Sequence, residues 1–162
     1  MEELQLNPLN SAWDLWFHKN NDTNWDLASY KKISSFSKME ELFYLNDMLK
    51  PIHVENGMFF LMRENIDPLW ESKDNLSGGC LSFKIIKHEI YGLWKNLALI
   101  LVNESILKDE KEFNNINGIS ISPKKTFSII KIWFRNNENQ TEDKFNNLDG
   151  MIFKEAIYKK YN

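Results

Sequence analysis

The sequence contains a single cysteine, Cys80, and it lacks any long apolar run. A lone cysteine cannot form an intramolecular disulfide, which favours a reducing compartment. The apolar stretches are too short to span a bilayer, and the N-terminal stretch MEELQLNPLN lacks the basic and apolar regions of a secretion signal. We therefore expect a cytoplasmic or nucleocytoplasmic protein that does not use a membrane.

Metal-binding and catalytic signatures are also missing. The cysteine and the histidines His18, His53 and His88 do not have the spacing of metal ligands, so we expect no zinc site. The Gly78-Gly79 pair belongs to neither a phosphate-binding loop nor a dinucleotide fingerprint, and no nucleophile elbow is present. We therefore expect a binding protein that has no cofactor and is not an enzyme. The histidines are interpreted as surface or structural residues.

The composition fits one domain over residues 1–162. The net charge is −3, and 43% of the residues are hydrophobic, which is enough for a core. Contacts with a nucleic acid would have to come from a local patch, because the overall field is weakly negative. Asparagine is frequent throughout, and we interpret this as a compositional bias of the genome.

The apolar periodicity predicts helices in three places. The first helix should begin at Ser37, which can form a capping box with Glu40, and end at Pro51. The second follows the apolar stripe at 90–101, which is wide enough to be buried. The third should lie around 140–157, where apolar side chains again recur at helical spacing.

Strand-like segments lie between these helices. A mixed segment covers 25–36, and clearer ones cover 57–63 and 78–86. The segments at 118–123 and 126–136 are joined by a Pro-Lys-Lys turn that is typical of a β-hairpin. The hairpin and the lack of βαβ spacing favour antiparallel pairing, and the α+β class: one sheet with amphipathic helices on one face. The other face would be free for a ligand.

Trp25, Trp70 and Glu71 have the chemistry of a base-recognition site. Two indoles on either side of a positively charged purine, such as N7-methylguanine, gain stacking and cation–π attraction. A carboxylate in the plane of the base can accept two hydrogen bonds from the guanine N1–H and amine. Of the other indoles, those of Trp13, Trp16 and Trp94 are interpreted as packing residues.

Six segments in order resemble the eukaryotic translation initiation factor 4E family, the messenger-RNA cap-binding proteins. They are PLNSAWDLWFHKN, NW at 24–25, ISSFSKMEELFYL, IDPLWESKDNLSGG, LWKNLALILVNES and IIKIWF. The fourth is the most specific, because the family has a Glu-Pro-Met-Trp-Glu loop followed by Gly-Gly. The resemblance implies a curved sheet of about eight strands with three helices on its convex side.

The resemblance also implies roles for single residues in binding the cap. Trp25 and Trp70 match the two stacking tryptophans, Glu71 matches the residue that reads guanine, and Trp133 matches the ring near the N7-methyl group. At the family's basic phosphate-binding positions this chain has Ser122 and Ile129. The candidate substitutes are Lys124, Lys125 and Lys131, although the first two could equally form a solvated turn.

A partner surface on the helices is a further implication. On this surface, family members bind an amphipathic helix of a scaffold or repressor protein. Phe43 replaces the family's tryptophan, and Lys95-Asn96 replaces a Leu-Glu pair, so we expect a changed charge preference. The alternative is that Phe43 is merely a core residue. The residues at the contact positions are Pro8, Met39, Phe43, Lys95, Asn96 and Leu99.

These observations predict a monomeric protein that binds the 7-methylguanosine cap of messenger RNA and recruits a translation initiation scaffold. Two alternatives stay open. One is a translational repressor that occupies caps, and the other is an interaction module of the same fold with weak or lost cap binding. The polar loop NNDTNW before and including Trp25 is expected to be mobile until the ligand arrives.

Overall fold

The structure of the chain, a computed structural model, describes residues 5–162. Its helices and strands follow the chain in a simple order. They are β1 (Pro8–Lys19), β2 (Lys31–Lys38), α1 (Met39–Met48), α2 (Pro51–Asn56), β3 (Gly57–Arg63), β4 (Gly79–Ile86), α3 (Ile90–Val102), β5 (Ile116–Pro123), β6 (Phe127–Phe134) and β7 (Ile157–Lys160).

The strands form one sheet in which every pair is antiparallel. Within residues 5–162 it has seven strands, in the order β2-β1-β3-β5-β6-β4-β7, where the resemblance implied about eight. β5 and β6 form the predicted hairpin, with Ile119 opposite Ile132. The α+β class is therefore confirmed, as are the strands expected at 57–63 and 78–86.

The helices pack on one face of the sheet. In α3, large apolar residues recur every three or four positions, and Trp94, Leu97 and Leu101 are buried against the sheet. Burying one such side chain stabilises the fold by roughly 1.5–3 kcal/mol, so this stripe holds α3 in place. The second predicted helix and the packing role of Trp94 are confirmed.

The first helix begins later than predicted, because strand β2 continues through the proposed cap. Pairing of Pro8 with Lys38 keeps the backbone extended through Ser37, and α1 starts only after Lys38, which makes no side-chain cap bond. Glu40 instead accepts hydrogen bonds from the backbone and side-chain N–H groups of Asn7, at 3.0 and 2.6 Å. The capping box prediction is wrong.

The third predicted helix, at 140–157, is also wrong. The segment forms the 3₁₀ turns Glu142–Lys144 and Phe153–Glu155, and the edge strand β7 follows. Gly150 between the turns has φ +82°, a left-handed conformation that interrupts a helix. The apolar residues of the segment reach the core from its loops, so their spacing reflected burial without helix formation. They are Phe145, Leu148 and Met151.

A buried ion pair fixes the end of β3. The guanidinium of Arg63 contacts both carboxylate oxygens of Glu104, at 2.6 and 2.5 Å. It also donates hydrogen bonds to the backbone carbonyl oxygens of Ile116 and Phe113, at 2.8 and 2.9 Å. Because β3 ends at Arg63, this pair sets the starting point of the connection at 64–78, which carries Trp70 and Glu71.

Candidate functional site

The sheet face opposite the helices carries a second apolar cluster, which is rich in aromatic rings. Side chains alternate between the two faces along a strand. Ile132 and Phe134 therefore pack in the helix-side core, whereas Trp133 points to the second face. We call this surface the aromatic face. It consists of Trp16, Phe60, Met62, Ile66 and Trp133, with Tyr30, Met58 and Tyr161 packed against them.

Trp25 and Trp70 lie at the two ends of a series of ring contacts across the aromatic face. Neighbouring ring centroids in the series are 4.4–6.1 Å apart. The side chain of Trp25 is 51% exposed and that of Trp70 is 47% exposed, whereas the rings between them are buried or half-buried. In spatial order the rings are Trp25, His18, Tyr30, Phe60, Trp133, Tyr161 and Trp70.

A buried asparagine shapes the loop that carries Trp70. The side-chain amide of Asn75 donates hydrogen bonds to the carbonyl oxygens of Asp67 and Leu69, at 3.0 and 2.8 Å. Its side-chain oxygen accepts a hydrogen bond from the side chain of Asn117 on β5, at 2.8 Å. These bonds tie the loop to the sheet. Asparagine therefore has a structural role at both positions, which the compositional interpretation missed.

The same loop ends at Gly78 and Gly79, where the backbone passes very close to two neighbouring strands. A Cβ atom on Gly78 would lie 1.8 Å from the carbonyl oxygen of Phe134. On Gly79 it would lie 2.3 Å from the carbonyl oxygen of Lys159. Only glycine fits at these positions without a shift of the backbone.

Glu71 is exposed beside Trp70, and its charge reaches the other end of the aromatic face. Burial raises the pKa of Tyr30 to about 12, and the negative charge of Glu71 contributes to the rise. The ring of Tyr30 contacts His18, which stacks on Trp25. The charge of Glu71 therefore acts on the Tyr30 hydroxyl.

Trp133 lies on the aromatic face, as strand alternation requires, but its side chain is only 5% exposed. Its indole N–H donates a hydrogen bond to the hydroxyl of Ser120 at 2.9 Å. The ring centroids of Phe60 and Tyr161 lie 6.1 and 5.6 Å from that of Trp133. Trp133 therefore forms the floor of the face, beneath these rings.

Tyr161 belongs to the aromatic face, and the sequence analysis did not identify it. Its backbone N–H donates a hydrogen bond to the carbonyl oxygen of Gly78 at 3.0 Å, and its ring contacts both Trp70 and Trp133. Burial raises the pKa of its hydroxyl above the usual value. It was not identified because a helix was wrongly predicted at 140–157, so the strand that precedes Tyr161 was not expected. The β-branched and aromatic run at 157–161 could have indicated an edge strand.

Two lysines lie on the aromatic face beside Trp133. Lys131 precedes Trp133 by two residues on β6 and so points to the same side, as alternation predicted. Lys159 on β7 pairs with Cys80, which also pairs with Trp133, and it therefore shares that side. The lysines of the hairpin turn, Lys124 and Lys125, are exposed at the far end of β6.

The predicted partner-surface residues lie on the helix side of the molecule. Pro8 and Met39 line a cleft of about 370 Å³ where β1 and α1 meet the end of α3. Phe43 on α1 is 51% exposed, which excludes the alternative that it is a core residue. The remaining three are on α3, namely Lys95, Asn96 and Leu99.

Neither a membrane span nor a metal cluster occurs in the described part of the chain. The helices at 5–162 lack the length and apolar character needed to cross a bilayer. Within the same residues, no three or more His, Cys, Asp or Glu side chains are grouped so as to hold a metal ion.

Comparison with known proteins gives a consistent result. The sequence model of the family described as Eukaryotic initiation factor 4E matches residues 8–158. The eukaryotic translation initiation factor 4E of Eremothecium gossypii is 34% identical over 134 residues, which are 78% of this chain and 61% of that protein. The factor of the same name from Candida albicans is 33% identical over 137 residues, 78% of this chain and 63% of that protein.

Solved structures agree in fold. Ascaris suum eIF4E-3 in complex with the m7G cap superposes with a TM-score of 0.73 and 20% identity, covering 84% of this chain and 77% of that one. The schistosome eIF4E complexed with m7GpppG and 4E-BP gives a TM-score of 0.75 and 18% identity, covering 85% and 76% of the two chains. At this level of identity the likeness concerns the fold alone.

The chain spans only about three fifths of the length of the two fungal relatives, 61% and 63%. The match nevertheless runs from β1 into the start of β7, and it includes the glycine pair and all of the aromatic face except Tyr161. A family match over residues 8–158, with about a third of the aligned residues identical to each fungal relative, shows that this chain belongs to the eukaryotic initiation factor 4E family.

Proposed function

We propose that this chain binds the 7-methylguanosine cap of messenger RNA on its aromatic face. The base would stack between Trp25 and Trp70, and Glu71 would accept hydrogen bonds from the guanine edge. One observation carries the proposal: two half-exposed indoles end a single series of ring contacts, and a carboxylate stands next to one of them. The cap complex of the Ascaris relative supports it.

The expected binding energies follow from this arrangement. Each indole that stacks on the base contributes roughly 1–3 kcal/mol. A methylated, positively charged purine gains a further cation–π attraction, which an unmethylated one lacks. Hydrogen bonds from guanine to a charged carboxylate contribute roughly 1.5–3 kcal/mol, and they select guanine over adenine. Trp133 would form the floor of the binding site between Trp25 and Trp70.

We further propose that Lys131 and Lys159 contact the phosphates of the cap. Both lie on the aromatic face next to Trp133, and a phosphate chain leaving the base across β4 would reach them first. Lys125 is eight residues from Trp133 along the hairpin, which is roughly 26 Å at the rise of a strand. The turn lysines, Lys124 and Lys125, are therefore better placed for later nucleotides than for the first phosphates.

The helix side would recruit a partner protein through an amphipathic helix, with Phe43 as the exposed aromatic contact. The C. elegans eIF4E-3 structure that contains the 4E-binding protein Mextli has the same fold, with a TM-score of 0.72. The test is calorimetry with a 4E-binding-protein peptide. Phe43→Ala should weaken binding at least fivefold, and Ile33→Ala on the exposed edge strand serves as control. Equal affinities of the two variants for the peptide would show that Phe43 does not belong to the partner-binding surface.

Cap binding is tested by titrating tryptophan fluorescence with 7-methyl-GTP and with GTP. Trp25→Leu should weaken the binding of 7-methyl-GTP by about 5- to 150-fold, the range that one lost stack implies. Phe43→Leu is the matched control, since Phe43 and Trp25 have the same exposed fraction, 51%. Glu71→Gln should weaken binding by about 10- to 150-fold, whereas Glu89→Gln on the opposite side should not.

The outcomes also separate the alternatives. Binding of 7-methyl-GTP without binding of an initiation-scaffold peptide would favour a repressor that occupies caps. Peptide binding without binding of either nucleotide would favour an interaction module that has lost the cap site. Equal affinity for 7-methyl-GTP and GTP would contradict the stacking of a charged base between Trp25 and Trp70.

A further inference from the structure

His18 connects the sheet to the loop that carries Trp25. Its side chain is 0% exposed, and its ring lies parallel to the indole of Trp25, with centroids 4.4 Å apart and an angle of 8° between the planes. Nε2 lies 2.7 Å from the carbonyl oxygen of Asn24, the residue before Trp25. Nδ1 lies 2.8 Å from the carbonyl oxygen of Lys19. The imidazole therefore contacts the loop through both its face and its edge.

The two hydrogen-bond partners of His18 constrain its protonation state. A carbonyl oxygen can only accept a hydrogen bond, and a neutral imidazole has one N–H donor and one nitrogen that is an acceptor. The neutral ring can therefore satisfy only one of the two contacts, and its other nitrogen lone pair would face an oxygen. The doubly protonated ring can donate to both carbonyl oxygens. It also gains cation–π attraction from the indole of Trp25.

We propose that His18 is the positioning residue of Trp25, and that its hold on the loop strengthens when the imidazole takes up its second proton. This rests on the proposed function only in that Trp25 is the stacking residue. The loop was expected to be mobile from its polar sequence. A local contact gives it an internal shape, since the Ser29 hydroxyl lies 2.7 Å from the carbonyl oxygens of both Asn24 and Asp26 and can donate its hydrogen to either one. The contact with His18 joins Asn24 directly to β1, whereas the bond from the Asn24 N–H reaches the strand only through Asp22.

The ionisable surroundings of His18 are simple. Between residues 5 and 162, no carboxylate oxygen lies within 4.0 Å of its ring nitrogens. Tyr30, which contacts the ring at 4.7 Å, has a pKa raised to about 12 and stays neutral near pH 7. The other ionisable groups on the surrounding elements are Lys19 on β1, Asp22 and Asp26 on the loop, and Glu71, whose charge acts on Tyr30.

The first experiment uses the wild-type chain without ligand. Long-range ¹H–¹⁵N NMR spectra of the histidine rings report whether one or both nitrogens of His18 carry a proton, and the indole N–H of Trp25 reports the order of the loop. As the pH is lowered, we expect the appearance of protons on both ring nitrogens to be accompanied by a more rigid indole. A ring that carries only one proton at every pH at which the chain stays folded, or an indole whose order does not change when the second nitrogen becomes protonated, would overturn the proposal.

The second experiment compares variants at pH 6. His18→Phe keeps a ring stacked on Trp25 but loses both hydrogen bonds. It should weaken the binding of 7-methyl-GTP by about fivefold, since ordering the loop then opposes binding. It should also abolish the pH dependence of the order of the Trp25 indole. His88→Phe, at an exposed histidine, should change neither. Tighter binding by His18→Phe would mean that His18 competes with the base, and would overturn the proposal.

The two experiments separate this inference from the proposed function. If wild-type protein bound neither 7-methyl-GTP nor GTP, the cap-binding proposal would fail. The NMR measurement on the free chain would still decide whether His18 positions Trp25.

Discussion

Replacing Arg63 by Met should destabilise the fold more than any change at an exposed charge. The guanidinium is buried, and Glu104 holds it with a two-pronged contact at 2.6 and 2.5 Å. It also donates to the backbone carbonyl oxygens of Ile116 and Phe113 and to the hydroxyl of Ser11. Met matches the length and apolar character of the Arg stem. The substitution therefore tests the charge and the hydrogen bonds more than the packing.

The expected loss is large because the substitution leaves a mostly buried carboxylate, whose side chain is 12% exposed, without its partner. Breaking a buried pair in this way costs about 3–5 kcal/mol. The orphaned carbonyl oxygens move the expected value toward the upper end of that range. Domains of this kind are stable by roughly 5–15 kcal/mol in total. With a slope of about 2 kcal/mol per molar urea, the unfolding midpoint should fall by about 1.5–2.5 M.

Urea unfolding followed by circular dichroism measures the loss. The control is Arg135→Met, because the exposed pair of Arg135 and Asp74, 3.2 Å apart, should contribute at most about 1 kcal/mol. The double variant Arg63→Met/Glu104→Gly removes both charges, and glycine also suits the φ of 56° at Glu104. It should recover at least half of the loss. A single variant within about 1 kcal/mol of wild type, or a double variant no more stable than the single one, would refute the reasoning.

Four further predictions concern the aromatic face and the N-terminal contact. Tyr161→Ala should weaken the binding of 7-methyl-GTP by about 2- to 12-fold, because the ring supports Trp70, whereas Tyr161→Phe should retain it in a fluorescence titration. Lys131→Met should weaken binding and make its salt dependence shallower, as measured by titrations at increasing salt; an unchanged slope would remove Lys131 from the phosphate site. Asn75→Ala should lower the free energy of unfolding by about 1–3 kcal/mol in urea, because it leaves buried groups without a partner. The carboxylate of Glu40 accepts hydrogen bonds from the backbone N–H groups of Glu40 itself and of Asn7, and these bonds keep the pKa of Glu40 below its usual value. These bonds therefore stabilise the fold while Glu40 is ionised, and this stabilisation is lost as the pH falls through the depressed pKa. The free energy of unfolding of Glu40→Gln, measured as a function of pH, should therefore fall less in acid than that of the wild type.

The periodicity of apolar residues was enough to predict an element that buries one continuous apolar stripe. α3 has an apolar residue at every third or fourth position, and a helix is the only regular structure that places them all on one side. The β5–β6 hairpin was equally clear, because alternation and a short polar turn agreed. The pairing of Trp25 with Trp70 in one binding site stays a prediction, which rests on the chemistry of the residues and on the family's loop sequence.

Other features depend on contacts between distant parts of the chain. Ser37 has the local signature of a helix cap, but pairing between β1 and β2 keeps it in a strand. Phe145 and Leu148 have helical spacing, yet they reach the core from loops. The edge strand before Tyr161 has a local signal, but the contacts of Tyr161 with Trp70 and Trp133, and of His18 with Tyr30, depend on the order of the strands in the sheet.

The close fit at Gly78 and Gly79 limits how the specificity of this fold can be redesigned. A loop could be transplanted from another protein to change which nucleotide is bound. Its residues near Trp70 and Glu71 could be of any chemical type. It would have to rejoin β4 through the same two glycines, because a methyl group at either one meets a neighbouring backbone oxygen. Engineered exchanges should therefore stop before position 78 and keep the amide at Asn75. A junction moved two residues later would disturb β6 and β7 as well as the grafted segment.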